Sequence, residues 1–228
     1  MSDTDARLQQ ADAASQKLLD YTREEWKVIK RSSGVVVSCR NVPDRSEKIY
    51  KGEGELDVSP EQALHYVTPG NDLPRKQWDS TTKEWREIEK IDKDTVVIQT
   101  ITKAAMAGFI KGRDFVDVVS SRRLSDGTRI LSAESTDHPQ CPPESNHVRG
   151  TNLTSGLVCL PMPGEPNRTK LVFLIQSILG GMLPTALVES AMPASIIKFY
   201  TELRNALQNA PRWVESDAPR AIASNTMV

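Results

Sequence analysis

Cysteine is scarce in this chain of 228 residues: Cys39, Cys141 and Cys159 are odd in number and far apart. Such thiols do not make a disulfide framework, and they suit a reducing, cytosolic setting. Long hydrophobic runs are also missing. No stretch of about 18 apolar residues is present to span a bilayer. The opening "MSDTDARLQQADAASQ" is polar and acidic where a secretory signal would carry an apolar core. Neither sign of charge prevails: 29 Lys and Arg face 30 Asp and Glu, for a net charge of −1. No global basic field draws the chain to nucleic acid or to an anionic membrane. Histidine occurs three times, as His65, His138 and His147, without metal-ligand spacing. "HPQC" is a single His/Cys pair in a Pro-rich loop, and no third group is evident to orient a Cys-His nucleophile. No phosphate loop or dinucleotide glycine pattern appears, and "GEGE" is a poor match to either. No internal repeat is visible. No catalytic residue, metal site or cofactor is therefore expected.

What is present is an ordinary globular mix, 38% hydrophobic and 26% charged. Residues 3–20 carry Leu8, Ala11, Ala14, Leu18 and Leu19 at helical spacing, which predicts an amphipathic helix. "EWKVIKR", "GVVVSCR" and "KIYKGEGEL" read as strands. "SPEQALHYV" reads as a short helix with Ser59 as N-cap and Pro60 at its first position. "KEWREIEKI" and "DTVVIQTIT" are strands joined by an Asp-Lys-Asp turn. "GRDFVDVVSSRRLSDGTRILSAES" is a β-hairpin about Ser-Asp-Gly. One face of its first strand holds Phe115, Asp117, Val119 and Ser121. Leu131 and Ala133 share a face of the second. Neither face is wholly apolar. A proline-rich loop and strands at "HVRGTNLTSGLVCLPM" and "TKLVFLIQSIL" follow. A long helix then runs from about Leu183 to Leu207. Its stripe is Val188, Met192, Ser195/Ile196, Phe199 and Leu203. Pro193 lies mid-helix, where it removes a hydrogen bond and favours a kink. The order of elements implies an α+β fold, one antiparallel sheet crossed by a long C-terminal helix. Helix and sheet enclose either a filled core or a space between them.

"GRDFVDVV", "HVRGTN", "PMPGEPNRTKL" and "GGMLPTALVESAMPASIIKFYTELRNAL" together resemble the steroidogenic-acute-regulatory-protein-related lipid transfer (START) domain. The likeness is nearest to the small soluble, single-domain members numbered four, five and six, and it runs from Ala14 to Leu207. It implies a helix-grip fold: a curved nine-stranded antiparallel sheet around the C-terminal helix, with one lipid in an internal tunnel. Residues 14–208 then form the lipid-binding domain. Residues 1–13 are a flexible N-terminus or the start of the first helix, and 209–228 a disordered tail. The resemblance places Thr100, Val119, Leu131, Ala133, Asn152, Val188, Met192, Ile196 and Phe199 at the lipid. In steroidogenic members a buried acid–base pair occupies the places of Thr100 and Val119, so that pair is missing here. Asn152 is either the remaining polar contact or a strand-end Asn bonding backbone.

In the family, the segment 103–112 is an omega loop that gates the tunnel with the C-terminal helix. Met106, Phe109 and Ile110 would form its apolar tip, serving as a lid, a membrane-inserting tip, or both. Arg113 and Asp114 are expected as a buried structural pair at the base of this gate. The implied function is cytosolic binding and intermembrane transfer of one sterol-sized lipid by a monomer, with transient contact to a membrane surface and none to nucleic acid. The alternatives are storage or sensing of another hydrophobic ligand, such as a carotenoid or bile acid, or, among related grip folds, an enzyme. A third is an interaction module whose tail near Trp213 binds a partner.

Overall fold

The computed structural model describes residues 2–42, 47–104, 110–211 and 213. Met106 and Phe109 lie outside them, as does the tail beyond Trp213. Helix α1 (Asp3–Arg23) opens the chain under a Ser2 capping box. Strands β1 (Lys27–Ser32), β2 (Val35–Asn41) and β3 (Lys48–Leu56) follow, then helices α2 (Pro60–Val67) and α3 (Arg75–Trp78). Ser59 caps α2 through its side chain, with Pro60 at the first position. Next come β4 (Thr82–Lys90), β5 (Thr95–Thr102), β6 (Arg113–Arg123) and β7 (Arg129–Ser135). The remainder is β8 (Val148–Arg149), β9 (Thr151–Asn152), β10 (Ser155–Met162), β11 (Glu165–Ile175), β12 (Ser177–Ile178) and α4 (Thr185–Gln208).

The main sheet runs β1-β2-β3-β11-β10-β7-β6-β5-β4, with β8 attached to β6. Every pair on the nine-strand path is antiparallel. β9 and β12 pair separately. This is the expected helix-grip architecture. The alternation in "DFVDVVSS" sorts β6 as read: Val119 faces α4, while Val116 and Val118 pack on the α1 side. In register, Val119 stands opposite Ala133 of β7 and Val96 of β5.

Three boundaries differ from the sequence expectation. The run "HVRGTNLTSGLVCLPM" is not one strand; it divides into β8, β9 and β10, which pair with different neighbours. β11 begins earlier, at Glu165, and the strand is interrupted at Gln176 before β12. α4 begins at Thr185 rather than Leu183, because Pro184 holds an extended backbone and a residue before proline disfavours the helical region.

Helices cover both faces of the sheet. On one face Leu18 and Tyr21 pack with Ile49, Ile130, Val158, Val172 and Leu174. On the other, α2 and the C-terminal half of α4 cover Val37, Leu131, Leu157 and Leu171. No helix among the described residues is long and apolar enough to cross a membrane.

Candidate functional site

α4 is two helices in its packing. From Ile196 onward it is anchored: Ile196, Phe199, Tyr200 and Leu203 are buried. Two glycines of "KGEGE" permit this close approach. A Cβ at Gly52 would lie 2.5 Å from Ile196 Cγ2, and one at Gly54 would lie 3.0 Å from Tyr200 Cε1. The Tyr200 hydroxyl is 3.0 Å from the Gly52 carbonyl and 2.8 Å from that of Leu171, and its proton serves these two acceptors. Arg204 donates to the carbonyls of Ser33 at 2.5 Å and Glu55 at 3.0 Å. From Thr185 to Ser195 no residue is buried. Pro193, inside this helix, has no N–H to give to the preceding turn.

Beneath the loosely held half lies a cavity of about 260 Å³. Tyr50, Ile175, Ser177, Val188 and Met192 are in its wall. Lys48 Nζ and Glu189 Oε1, 2.8 Å apart, bridge β3 to α4 at its edge. That hydrogen bond to Glu189 raises the pKa of Lys48. Burial, helped by the Glu189 charge, pushes the Tyr50 phenol up to about 12. Two glycines with left-handed backbone, Gly180 (φ 63°) and Gly181 (φ 68°), lead from β12 into α4. Arg113 fastens this turn to the end of the segment 103–112, donating to the Leu179 carbonyl at 3.3 Å and the Lys111 carbonyl at 2.5 Å.

A second polar group lies deeper, on the sheet face turned toward α4. Asp117 is buried there between Phe115 and Val119. Its Oδ1 accepts from the Ser135 hydroxyl at 2.7 Å, and its Oδ2 from Asn152 Nδ2 at 2.8 Å. The Asn152 main-chain N–H donates to Ser135 Oγ at 2.8 Å. Ser177 Oγ donates to Asn152 Oδ1 at 2.6 Å. Burial outweighs these hydrogen bonds and raises the Asp117 pKa to about 6.

The residues named from sequence are divided by the fold. Val188 and Met192 line the cavity. Val119, Leu131, Ile196 and Phe199 are buried together in the main apolar cluster, with Ala133 packed against it. Thr100 is half-buried, opposite Phe115 and Trp85. Thr100 and Val119 are thus four positions apart in register, about 13 Å along the strands. Charges placed at these two positions would not be direct cross-strand neighbours. Asn152 bonds side chains of the site, with both ends of its amide engaged. Ile110 is half-buried.

Arg113 and Asp114 are both buried but do not pair with each other. Asp114 Oδ2 instead meets Arg149 Nη2 at 2.7 Å and Gln99 Nε2 at 2.9 Å. Burial pushes the Asp114 carboxyl up, but the bonds from Arg149 and Gln99 and the Arg149 charge leave it below its ordinary value. Asp117 is a buried acid on the strands facing the helix, with its pKa raised by burial. Its bonded side chains, Ser135 and Asn152, are not bases. Cys159, pushed up to about 12 by burial, is not a thiolate at neutral pH. No group of three metal-ligating side chains occurs among the described residues.

Sequence reading gave no weight to Asp117, Ser177, Tyr50 or the Lys48–Glu189 pair. Asp117 had a signal, a charged residue in the centre of an alternating apolar face. Ser177 and Tyr50 had none.

The comparisons with known proteins agree with this architecture. StAR-related lipid transfer protein 5 of Bos taurus is 38% identical over 202 residues, 88% of this chain and 95% of that protein. StAR-related lipid transfer protein 6 of Homo sapiens is 32% identical over 200 residues, 87% of this chain and 90% of that protein. The solved structure of human StAR-related lipid transfer protein 5 superposes with a TM-score of 0.84 at 34% identity, covering 90% of this chain and 98% of that one. The family model described as START domain matches residues 7–212, nearly the whole described fold, and the chain belongs to that family of lipid-binding and lipid-transfer domains.

Proposed function

We propose that this protein carries one sterol-sized, largely apolar lipid between membranes, as a cytosolic monomer that performs no chemistry on it. The lipid lies between the inner sheet face and α4, against Val119, Leu131, Ala133, Ile196 and Phe199 as well as the cavity wall. The observation that carries this reading is the unequal packing of α4 above a cavity. A volume of about 260 Å³ is below the usual range for a whole ligand, about 300–1,000 Å³. Loading therefore requires the half-helix Thr185–Ser195 to move outward, opposed by its limited burial and by the Lys48–Glu189 pair. Shielding a sterol from water is worth on the order of 10 kcal/mol. That stabilisation makes unaided desorption slow and a carrier useful. The omega loop and this half-helix open together, with Arg113 joining their bases. The apolar tip at Met106, Phe109 and Ile110 touches the membrane surface during loading.

A reversible cross-link tests the gate. Cysteines replacing Lys48 and Glu189 join β3 to the loose half of α4, subject to disulfide geometry. The oxidised protein, preloaded with cholesterol, is expected to retain it and to stop exchanging it with vesicles; reduction restores exchange. Normal exchange by the fully oxidised protein would place the lipid's door elsewhere.

A further inference from the structure

The hydrogen bonds behind the cavity run in one direction. A carboxylate only accepts, so the Asn152 amide turns its N–H₂ to Asp117 and its oxygen to Ser177. The main-chain N–H of Asn152 can only donate, so Ser135 accepts there and spends its own proton on Asp117. Facing an amide oxygen, Ser177 must likewise give its proton to Asn152. Ser177 belongs to the cavity wall, and its hydroxyl oxygen is left with lone pairs and no proton to offer. The other polar wall and edge groups are not committed in this way. Lys48 and Glu189 pair with one another and keep further donor and acceptor capacity, and a phenol such as Tyr50 can donate or accept.

We propose that Ser177 is the hydrogen-bond acceptor for a hydroxyl on the lipid, held in that role by Asn152 and Asp117 as positioning residues. The site then selects alcohols over the corresponding ketones. This rests on the reading that the cavity belongs to the lipid site, and it names the chemical class of that lipid. A ketone brings a second acceptor to the Ser177 oxygen and finds no donor there. An alcohol completes a chain of bonds ending on a carboxylate, in which each bond polarises the next.

The experiment uses the full chain and two matched pairs of probes in phosphatidylcholine vesicles: cholesterol with 5-cholesten-3-one, and the secondary alcohol 2-hexadecanol with 2-hexadecanone. Retention by the protein is measured for each. The expected preference for alcohol is about tenfold, the size of one hydrogen bond. Ser177→Ala brings each retained pair to near parity, and Ser177→Thr keeps the preference. Asn152→Ala also removes it, because the Ser177 hydroxyl is then free to turn and donate; a merely structural loss would weaken both members of a pair alike. If the sterol pair is not retained but the hexadecanol pair is discriminated through Ser177, the sterol reading fails and this inference stands. If sterols are retained with alcohol and ketone alike, or the preference survives Ser177→Ala, the inference is overturned and the sterol reading stands. Failure to retain any probe overturns both.

Discussion

Asp117 is a residue whose environment opposes what its chemistry favours. A carboxyl group sits on an apolar sheet face without a direct cationic partner, and its pKa rises from 3.8 to about 6. Burial is the main cause, with the Glu134 charge adding to it and Arg149 opposing it. Between those two values the folded state holds a proton that the unfolded state has released. This group therefore makes stability fall as pH rises through that window, levelling off above the folded pKa. The span corresponds to on the order of 3 kcal/mol. Urea unfolding of wild type and Asp117→Asn from pH 4 to 7 is expected to show this slope only in the wild type. Parallel pH profiles for the two proteins would mean that Asp117 is not held near neutral pKa.

Gly52 is the opposite kind of residue, important for what it lacks. Gly52→Ala drives a methyl group into Ile196 Cγ2 and is expected to cost about 1–3 kcal/mol, visible as a lowered melting temperature. An unchanged melting temperature would show that α4 can shift off β3 freely.

At the scale of the element, α4 joins an anchored half to a loosely packed one, the proposed lid. Its C-terminal half is fixed by buried side chains and by Arg204 on carbonyls of the β1–β2 turn and of β3. Its N-terminal half is tied to the sheet by the Lys48–Glu189 pair, and partly exposed pairs of this kind hold weakly. Amide hydrogen exchange should therefore be faster across Thr185–Ser195 than across Ile196–Gln208 in the lipid-free protein, and loading should narrow the gap. Uniform protection along the helix would remove the physical basis for the lid.

Arg113 acts between elements, since one guanidinium fork reaches the carbonyls of Lys111 and Leu179. Lysine has no such planar fork. Arg113→Lys is expected to cost about 1–2 kcal/mol of stability and to speed lipid exchange. Equal exchange rates, with stability lowered, would confine Arg113 to a structural role.

The molecule as a whole offers a membrane little electrostatic attraction. Its net charge is −1, and its ion pairs interleave both signs over the surface. Transfer of cholesterol between vesicles should thus change little when a tenth of the phosphatidylcholine is exchanged for phosphatidylserine. A steep dependence on anionic lipid or on salt would point to a concentrated basic patch at the docking surface. Cholesterol recovered after prolonged incubation should be chemically unchanged. Any product dependent on Asp117 would turn the carrier reading into an enzymatic one.

Local pattern was enough to assign most elements of this protein. Alternation in "DTVVIQTIT" and "GRDFVDVV" sets which side chains share a face, because successive strand residues point to opposite sides. Ser59 and Pro60 start α2 through their own chemistry, and the spacing of Ile196, Phe199 and Leu203 marks the stripe that α4 buries. Asn152 was legible as a polar position, through the resemblance of "HVRGTN", but not what it would touch. Its side-chain partners Asp117 and Ser177 lie 35 and 25 residues away in sequence, and they meet only because β6, β9 and β12 converge beside the cavity. The same holds for Gly52 in "GEGE", a weak motif in sequence and a landing site for Ile196 in the fold. Periodicity reports which face a residue occupies. Which residues meet on that face depends on the strand order and on where a helix crosses the sheet, and those are properties of tertiary packing.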